Sequence, residues 1–123
     1  MRVHHIALLT AQVDRLARFY RDLLACEELG RHHDDRGLRS VWLPLGDAIL
    51  MVERLEAPAE RERGAGGWHM LVLDIPAAER ARWVKRLEAA GAGPAGSTGF
   101  TLYGQDPDGN PFGLSHYPEP APE

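Results

Sequence analysis

The sequence predicts an α+β fold of two βαβββ modules, each a small mixed sheet with one helix on its outer side. Three observations predict it. First, 123 residues make one domain of ordinary size, or two small halves sharing a core. Second, the chain matches itself at a shift of 64 positions. His5 falls on His69, Leu9 on Leu73, Ala17 on Ala81, Arg18 on Arg82 and Leu23 on Leu87, with similar pairs such as Ile6 and Met70 or Phe19 and Trp83 between them. Third, each half runs a short apolar strand, turn or capping residues, a helical pattern and then turn-bounded strands.

The elements follow in order. Val3 to Leu9 is apolar and of strand length. Thr10 is a candidate helix cap. Val13, Leu16, Phe19, Tyr20, Leu23 and Leu24 then recur at helical spacing. A weaker strand is expected near Glu28 to His33. Leu38 to Leu45 and Ala48 to Leu55 form a hairpin across Gly46-Asp47. Residues 1–55 thus make the first module, and the polar, glycine-rich residues 56–67 a linker. The second module, 68–117, opens with a strand at His69 to Leu73. Asp74 and Pro76 suit a helix start, and Ala77, Ala81, Val84 and Leu87 form its stripe, with Trp83 beside it. Gly91 ends that helix. A short strand is guessed near Gly93 to Thr98. Phe100 to Tyr103 and Pro111 to Tyr117 are strands joined by Asp106-Pro107-Asp108-Gly109-Asn110. Residues 118–123 carry three prolines and are expected to be a loose tail. Two such modules can keep their helices outside and curve their inner faces around a shared cavity.

Composition limits the function. A hydrophobic fraction of 44% and a charged fraction of 26% suit a globular chain. The net charge of −4 argues against a nucleic-acid partner. No apolar run approaches the ~20 residues that span a bilayer, and the start has no secretory pattern. The single Cys26 can form no intrachain disulfide and no cysteine-based zinc site. A cytoplasmic, membrane-free protein is expected.

Four motifs then carry a resemblance. They are His5-Ile6-Ala7-Leu8, Arg18-Phe19-Tyr20-Arg21-Asp22-Leu23-Leu24, Arg86-Leu87-Glu88-Ala89-Ala90-Gly91 and, most specific, Asp106-Pro107-Asp108-Gly109-Asn110-Pro111-Phe112. Together they resemble the vicinal oxygen chelate superfamily, which includes glyoxalase I, bleomycin-resistance proteins and extradiol dioxygenases. The resemblance implies a divalent metal held by a histidine on the first strand, and a glutamate on the last strand, of each half. His5 and His69 match the histidines. The glutamate positions fall at Met51 (Leu50 if the register slips by one) and at Gly113, so both carboxylates are missing. Two neutral imidazoles hold a catalytic ion weakly.

The expected function is therefore binding of a small, partly apolar ligand in the cavity, without a metal. His5, Met51, His69, Gly113, Trp42 and Tyr103 are its expected lining. The alternative is a glyoxalase-, isomerase- or dioxygenase-type enzyme with a zinc, nickel, iron or manganese ion on a shifted set, His5, His69 and Glu53. A further alternative is an interaction or regulatory domain with a filled cavity. His32-His33-Asp34-Asp35 alternates faces as a strand would and is read as a solvated hairpin end. Cys26 is read as a small buried hydrophobe. Unpaired sheet edges lead to the expectation of a homodimer.

Overall fold

In the computed structural model, residues 1–56 and 66–122 are described. Most of the expected linker, with Arg61 and Arg63, lies outside the described residues, as does Glu123. The chain divides into two compact units, Met1–Glu62 and Arg63–Glu123.

The first unit runs β1 (His5–Thr10), α1 (Val13–Leu24), β2 (Gly30–Asp34), β3 (Gly37–Leu45) and β4 (Ala48–Arg54). The second runs β5 (Leu71–Asp74), a 3₁₀ turn (Ala77–Glu79), α2 (Arg80–Ala89), β6 (Gly96–Ser97), β7 (Thr101–Gln105) and β8 (Pro111–Ser115). Each sheet has four strands, in the orders β1-β4-β3-β2 and β5-β8-β7-β6. In both, the first strand lies parallel to the last and the other pairs are antiparallel. Two βαβββ modules of mixed sheet are thus present, as the repeat predicts.

Pleating sends alternate residues to opposite faces. In the first unit Leu50 and Val52 of β4 and Val41 and Leu43 of β3 are fully buried. They pair in register as Leu43 with Leu50 and Val41 with Val52, and α1 packs on these two strands. Its Val13, Leu16, Ala17, Tyr20 and Leu23 form the buried stripe. Each such apolar side chain contributes about 1.5–3 kcal/mol on burial. In the second unit the corresponding pairs are Leu102 with Leu114 and Gly104 with Phe112, and Trp83 and Leu87 of α2 are buried.

Several local expectations change. Thr10 ends β1 rather than capping α1, its hydroxyl accepting the Gln12 N–H at 3.0 Å. Gln12 takes the cap position with no side-chain hydrogen bond. Asp74 belongs to β5, and a 3₁₀ turn intervenes before α2. Ala81 is exposed and Trp83 buried, so the buried side of α2 carries Trp83 and Leu87 rather than the expected stripe through Ala81. The hairpin at Gly46-Asp47 forms, with Gly46 at φ +57°. Gly91, at φ +65°, follows α2 and donates its N–H to Glu88.

Candidate functional site

The helix-free face of the first sheet is set by register. Met51 pairs with Ala7 on one side and Trp42 on the other. His5 pairs with Ile49, and Glu53 with Leu9 and Ser40. Alternation puts His5, Ala7, Leu9, Ile49, Met51, Glu53, Trp42 and Ser40 on one face. Leu50, fully buried, points the other way, so Met51 is the residue on the open face and the one-residue ambiguity is resolved.

Gly30 faces Trp42 across β2 and β3. The His32 imidazole lies over this gap: a Cβ on Gly30 would meet its Nε2 at 3.4 Å. The His32 and Trp42 rings stand 4.6 Å apart at 53°. Trp42 Nε1 is buried without a hydrogen-bond partner among the described residues, an indole donor that costs about 1–3 kcal/mol when left unmet. This pairing of His32 with Trp42 was not legible in the sequence, since it depends on the β2–β3 register that sets Gly30 against Trp42 and His32 against Ser40. At the edge of the face, His5 Nδ1 lies 2.9 Å from His4 Nδ1. One ring donates and the other accepts, leaving both Nε2 atoms outside that bond.

The second sheet repeats the geometry with different chemistry. Gly113 pairs with Val72 and Tyr103, so Tyr103 holds the place that Trp42 holds on the first sheet. A Cβ on Gly113 would lie 3.2 Å from Val72 Cγ2 and 3.4 Å from Thr101 Cγ2. A side chain at Gly113 therefore fits only if Val72 gives way by a few tenths of an ångström. Thr101 and Ser115 satisfy each other, hydroxyl to hydroxyl at 2.9 Å.

The strand register also revises the repeat. Ala7 and Val72 are the parallel partners of Met51 and Gly113. They are 65 residues apart, not 64. At that offset Met70 takes the place of His5, and His69 that of His4. His69 itself is exposed and precedes β5. The identity that paired His5 with His69 is therefore one residue out of structural register.

These positions allow a test of whether the donors suit a metal. Both carboxylate positions lack carboxylates, and a side chain at Gly113 would press on Val72, its Cβ lying 3.2 Å from Val72 Cγ2. Glu53 shares the face of His5 but is level with Leu9, four residues along β1. That is about 13 Å at ~3.3 Å per residue, against metal bonds of about 2.0–2.2 Å. Among the described residues, no three His, Cys, Asp or Glu side chains gather as a metal would require. The donor set does not fit the superfamily's four-ligand ion.

Several other charged groups form ion pairs. Arg31 joins Glu28 at 2.6 Å and Asp14 at 2.8 Å. Its guanidinium holds both carboxyls below the usual range. Asp34 pairs with Arg54, which lowers its carboxyl likewise, and accepts the Arg36 N–H at 2.9 Å. Asp34 is thus a structural member of a β-hairpin end, and the His-His-Asp-Asp run does not converge. Cys26 is half-buried, and burial pushes its thiol up, away from the reactive thiolate. Asp106 is buried in the Asp-Pro-Asp-Gly-Asn turn, where its carboxylate accepts from the Asp108 and Asn110 backbones and the Asn110 amide.

With strand order, register and site positions established, comparison with known proteins defines the class. Residues 5–115 match the glyoxalase-like domain. The chain belongs to that family, within the vicinal oxygen chelate superfamily. Among solved structures, it is similar to the fosfomycin resistance protein FosX from Listeria monocytogenes, at 19% identity and TM-score 0.73 over 94% of this chain and 90% of that one. It is also similar to lactoylglutathione lyase from Agrobacterium tumefaciens, at 21% and 0.66 over 94% and 93%. TioX from Micromonospora sp. ML1 gives 18% and 0.70 over 95% and 99%. No curated protein sequence matches. No helix among the described residues is long and apolar enough to cross a membrane.

Proposed function

We propose that this glyoxalase-like chain binds a small, partly apolar ligand against the open face of its first sheet, without a metal. The observation that carries the proposal is Met51 on the open face, flanked by Ala7 and Trp42, where the superfamily resemblance implies a carboxylate. A thioether is soft and adaptable and suits an apolar ligand surface. The indole of Trp42 adds a flat apolar wall with an N–H donor that none of the described residues meets. His5 and His32 supply polar contacts at the rim. The second sheet's own helix-free face carries Tyr103 and the Val72 packed beside Gly113, which present shape rather than charge. The proposal includes a reducing, cytoplasmic setting and a homodimer. One FosX structure is described with Mn(II) and a sulfate ion, so a metal-bearing protein shares this fold, and the metal question belongs to the test.

The test is a thermal-shift screen of small aromatic and aliphatic compounds in EDTA, alongside metal analysis of untagged protein. A ligand at 100 times its Kd adds about 2.7 kcal/mol to native stability. Expected are hits in EDTA that Trp42→Ala and Met51→Ala abolish, and far less than one metal per chain. Stoichiometric zinc, nickel, iron or manganese lost on His5→Ala would overturn the metal-free reading in favour of a metalloenzyme. Sedimentation at micromolar concentration checks the dimer; a 13.6 kDa species would refute it.

A further inference from the structure

We propose that a second cleft in the first unit binds a small zwitterion, its ammonium on Glu53 and its carboxylate on Arg39. The cleft holds about 260 Å³ and is walled by Leu9, Arg39, Glu53, Arg54, Leu55 and Glu56. Glu53 stands two residues along β4 from Met51, about 7 Å at ~3.3 Å per residue. The inference stands apart from the ligand face around Met51 and Trp42, neither of which walls this cleft.

Its four charged walls divide into two kinds. Arg54 and Glu56 are committed to each other and to their neighbours. The Arg54 guanidinium donates to Asp34, to Glu56 Oε1 at 3.0 Å and to the Leu38 carbonyl at 3.3 Å. Glu56 Oε2 takes Arg36 at 2.7 Å. Arg39 and Glu53 differ: neither side chain has an ion pair or hydrogen bond among the described residues. Glu53 is half-buried and Arg39 exposed. Beside them Leu9 and Leu55 leave 53% and 37% of their surface open to solvent. One uncommitted anion, one uncommitted cation and two bare leucines thus share one small cleft.

The backbone explains how Arg39 comes to join Glu53. Glu53 pairs with Ser40 across β3 and β4, so strict alternation would send the neighbouring Arg39 to the opposite face. On the β2 side, however, His32 pairs with Ser40 and His33 with Leu38, which leaves Arg39 as the extra residue of a β-bulge. A bulge re-aims the side chain that it carries, and Arg39 and Glu53 wall the same cleft. The chemistry of the ligand follows from what is uncommitted. A guanidinium fork matches a carboxylate with two parallel hydrogen bonds, and a carboxylate accepts from an ammonium. A singly charged ligand would leave one of the two groups unanswered. The volume is below the ~300–1,000 Å³ of drug-sized pockets, so the ligand is the size of a free amino acid, with an aliphatic side chain to cover Leu9 and Leu55.

The experiment is NMR titration of the ¹⁵N-labelled intact chain at neutral pH and low salt with three probes of one carbon skeleton. Leucine carries both charges, isoamylamine only the ammonium and 4-methylpentanoate only the carboxylate. Leucine should move the amide signals of Leu9, Arg39, Glu53 and Leu55 along saturating curves. Each singly charged probe should bind about three- to tenfold more weakly at the same signals, the worth of one charged contact at a part-exposed site. Glu53→Gln should abolish leucine's advantage over 4-methylpentanoate, and Arg39→Met its advantage over isoamylamine. Equal affinity for all three probes, no saturating shift with leucine, or shifts centred on Met51 and Trp42 would overturn the proposal. So would either variant that keeps the native preference. Should a variant not fold, the three-probe comparison on the native chain decides alone.

Discussion

Leu43 faces Leu50 across β3 and β4 on the buried side of the first sheet, and Gly104 faces Phe112 at the same place in the second. Two medium side chains are exchanged for none and one large. A Cβ on Gly104 would come within 2.7 Å of Phe112 Cζ, so the ring occupies the volume that the glycine leaves. The open faces differ in the same manner. The first presents Met51 beside Trp42; the second presents Gly113 beneath Val72 and Thr101. Identical strand order and pairing thus tolerate different residues wherever paired volumes compensate. The shared geometry defines the fold, and the unshared chemistry has to define what each face can bind.

The largest expected effects come from the buried pairs. Phe112→Ala should cost about 3–5 kcal/mol and Leu50→Ala about 2–5 kcal/mol in urea unfolding. A small loss at either one would mean that the two positions are not equivalent core sites. Gly104→Ala should cost about 1–3 kcal/mol through overpacking. Adding Gly104→Leu and Phe112→Leu together imports the first sheet's pair and should restore part of that loss. A double variant less stable than Phe112→Leu alone would break the compensation argument.

Glutamate separates the open faces. Gly113→Glu must press Val72 aside by a few tenths of an ångström and should cost about 1–3 kcal/mol. Met51→Glu sits on the half-buried open face and should cost less than about 1 kcal/mol. Calorimetric titration with nickel then asks whether Met51→Glu beside His5 gains affinity that the native chain lacks. Gain in Gly113→Glu instead would reverse the assignment of the open positions.

The smallest effect concerns Arg31. Its pairs with Glu28 and Asp14 are partly exposed, at 20% and 39% of the carboxylate side chains, so Arg31→Met should cost about 0.2–1 kcal/mol at low salt. Because both carboxyls are held low in the folded state, the contribution is present above their unfolded values. It is lost as pH falls through the lowered folded values. The difference between native and Arg31→Met stability should therefore shrink at acid pH and in high salt. A difference that grows on acidification would show that the pairing has been misassigned.

Much of this was legible in the chain. Helical spacing from Val13 to Leu24, the Gly46-Asp47 turn and the Asp106 to Asn110 turn are local signals, and each produced its element. The short β6 and β2 lay at the edge of legibility, because edge strands of polar residues carry little alternation. The repeat found both modules but misplaced one strand. Matching His5 to His69 maximises identity, whereas backbone pairing matches Ala7 to Val72. One residue reverses every side chain in a strand, so a slip invisible to identity decides which residue reaches the open face.

The sequence by itself determined the class of fold, the doubling and the absence of carboxylates at Met51 and Gly113, because these rest on residue type and short-range periodicity. Only the tertiary structure decided that Met51 rather than Leu50 faces outward. It alone showed that Val72 and Thr101 crowd Gly113, that His32 rests on Trp42, and that Arg80 meets His116 from 36 positions away. Those contacts join residues distant in the chain. Their existence depends on register and packing, which no local pattern encodes.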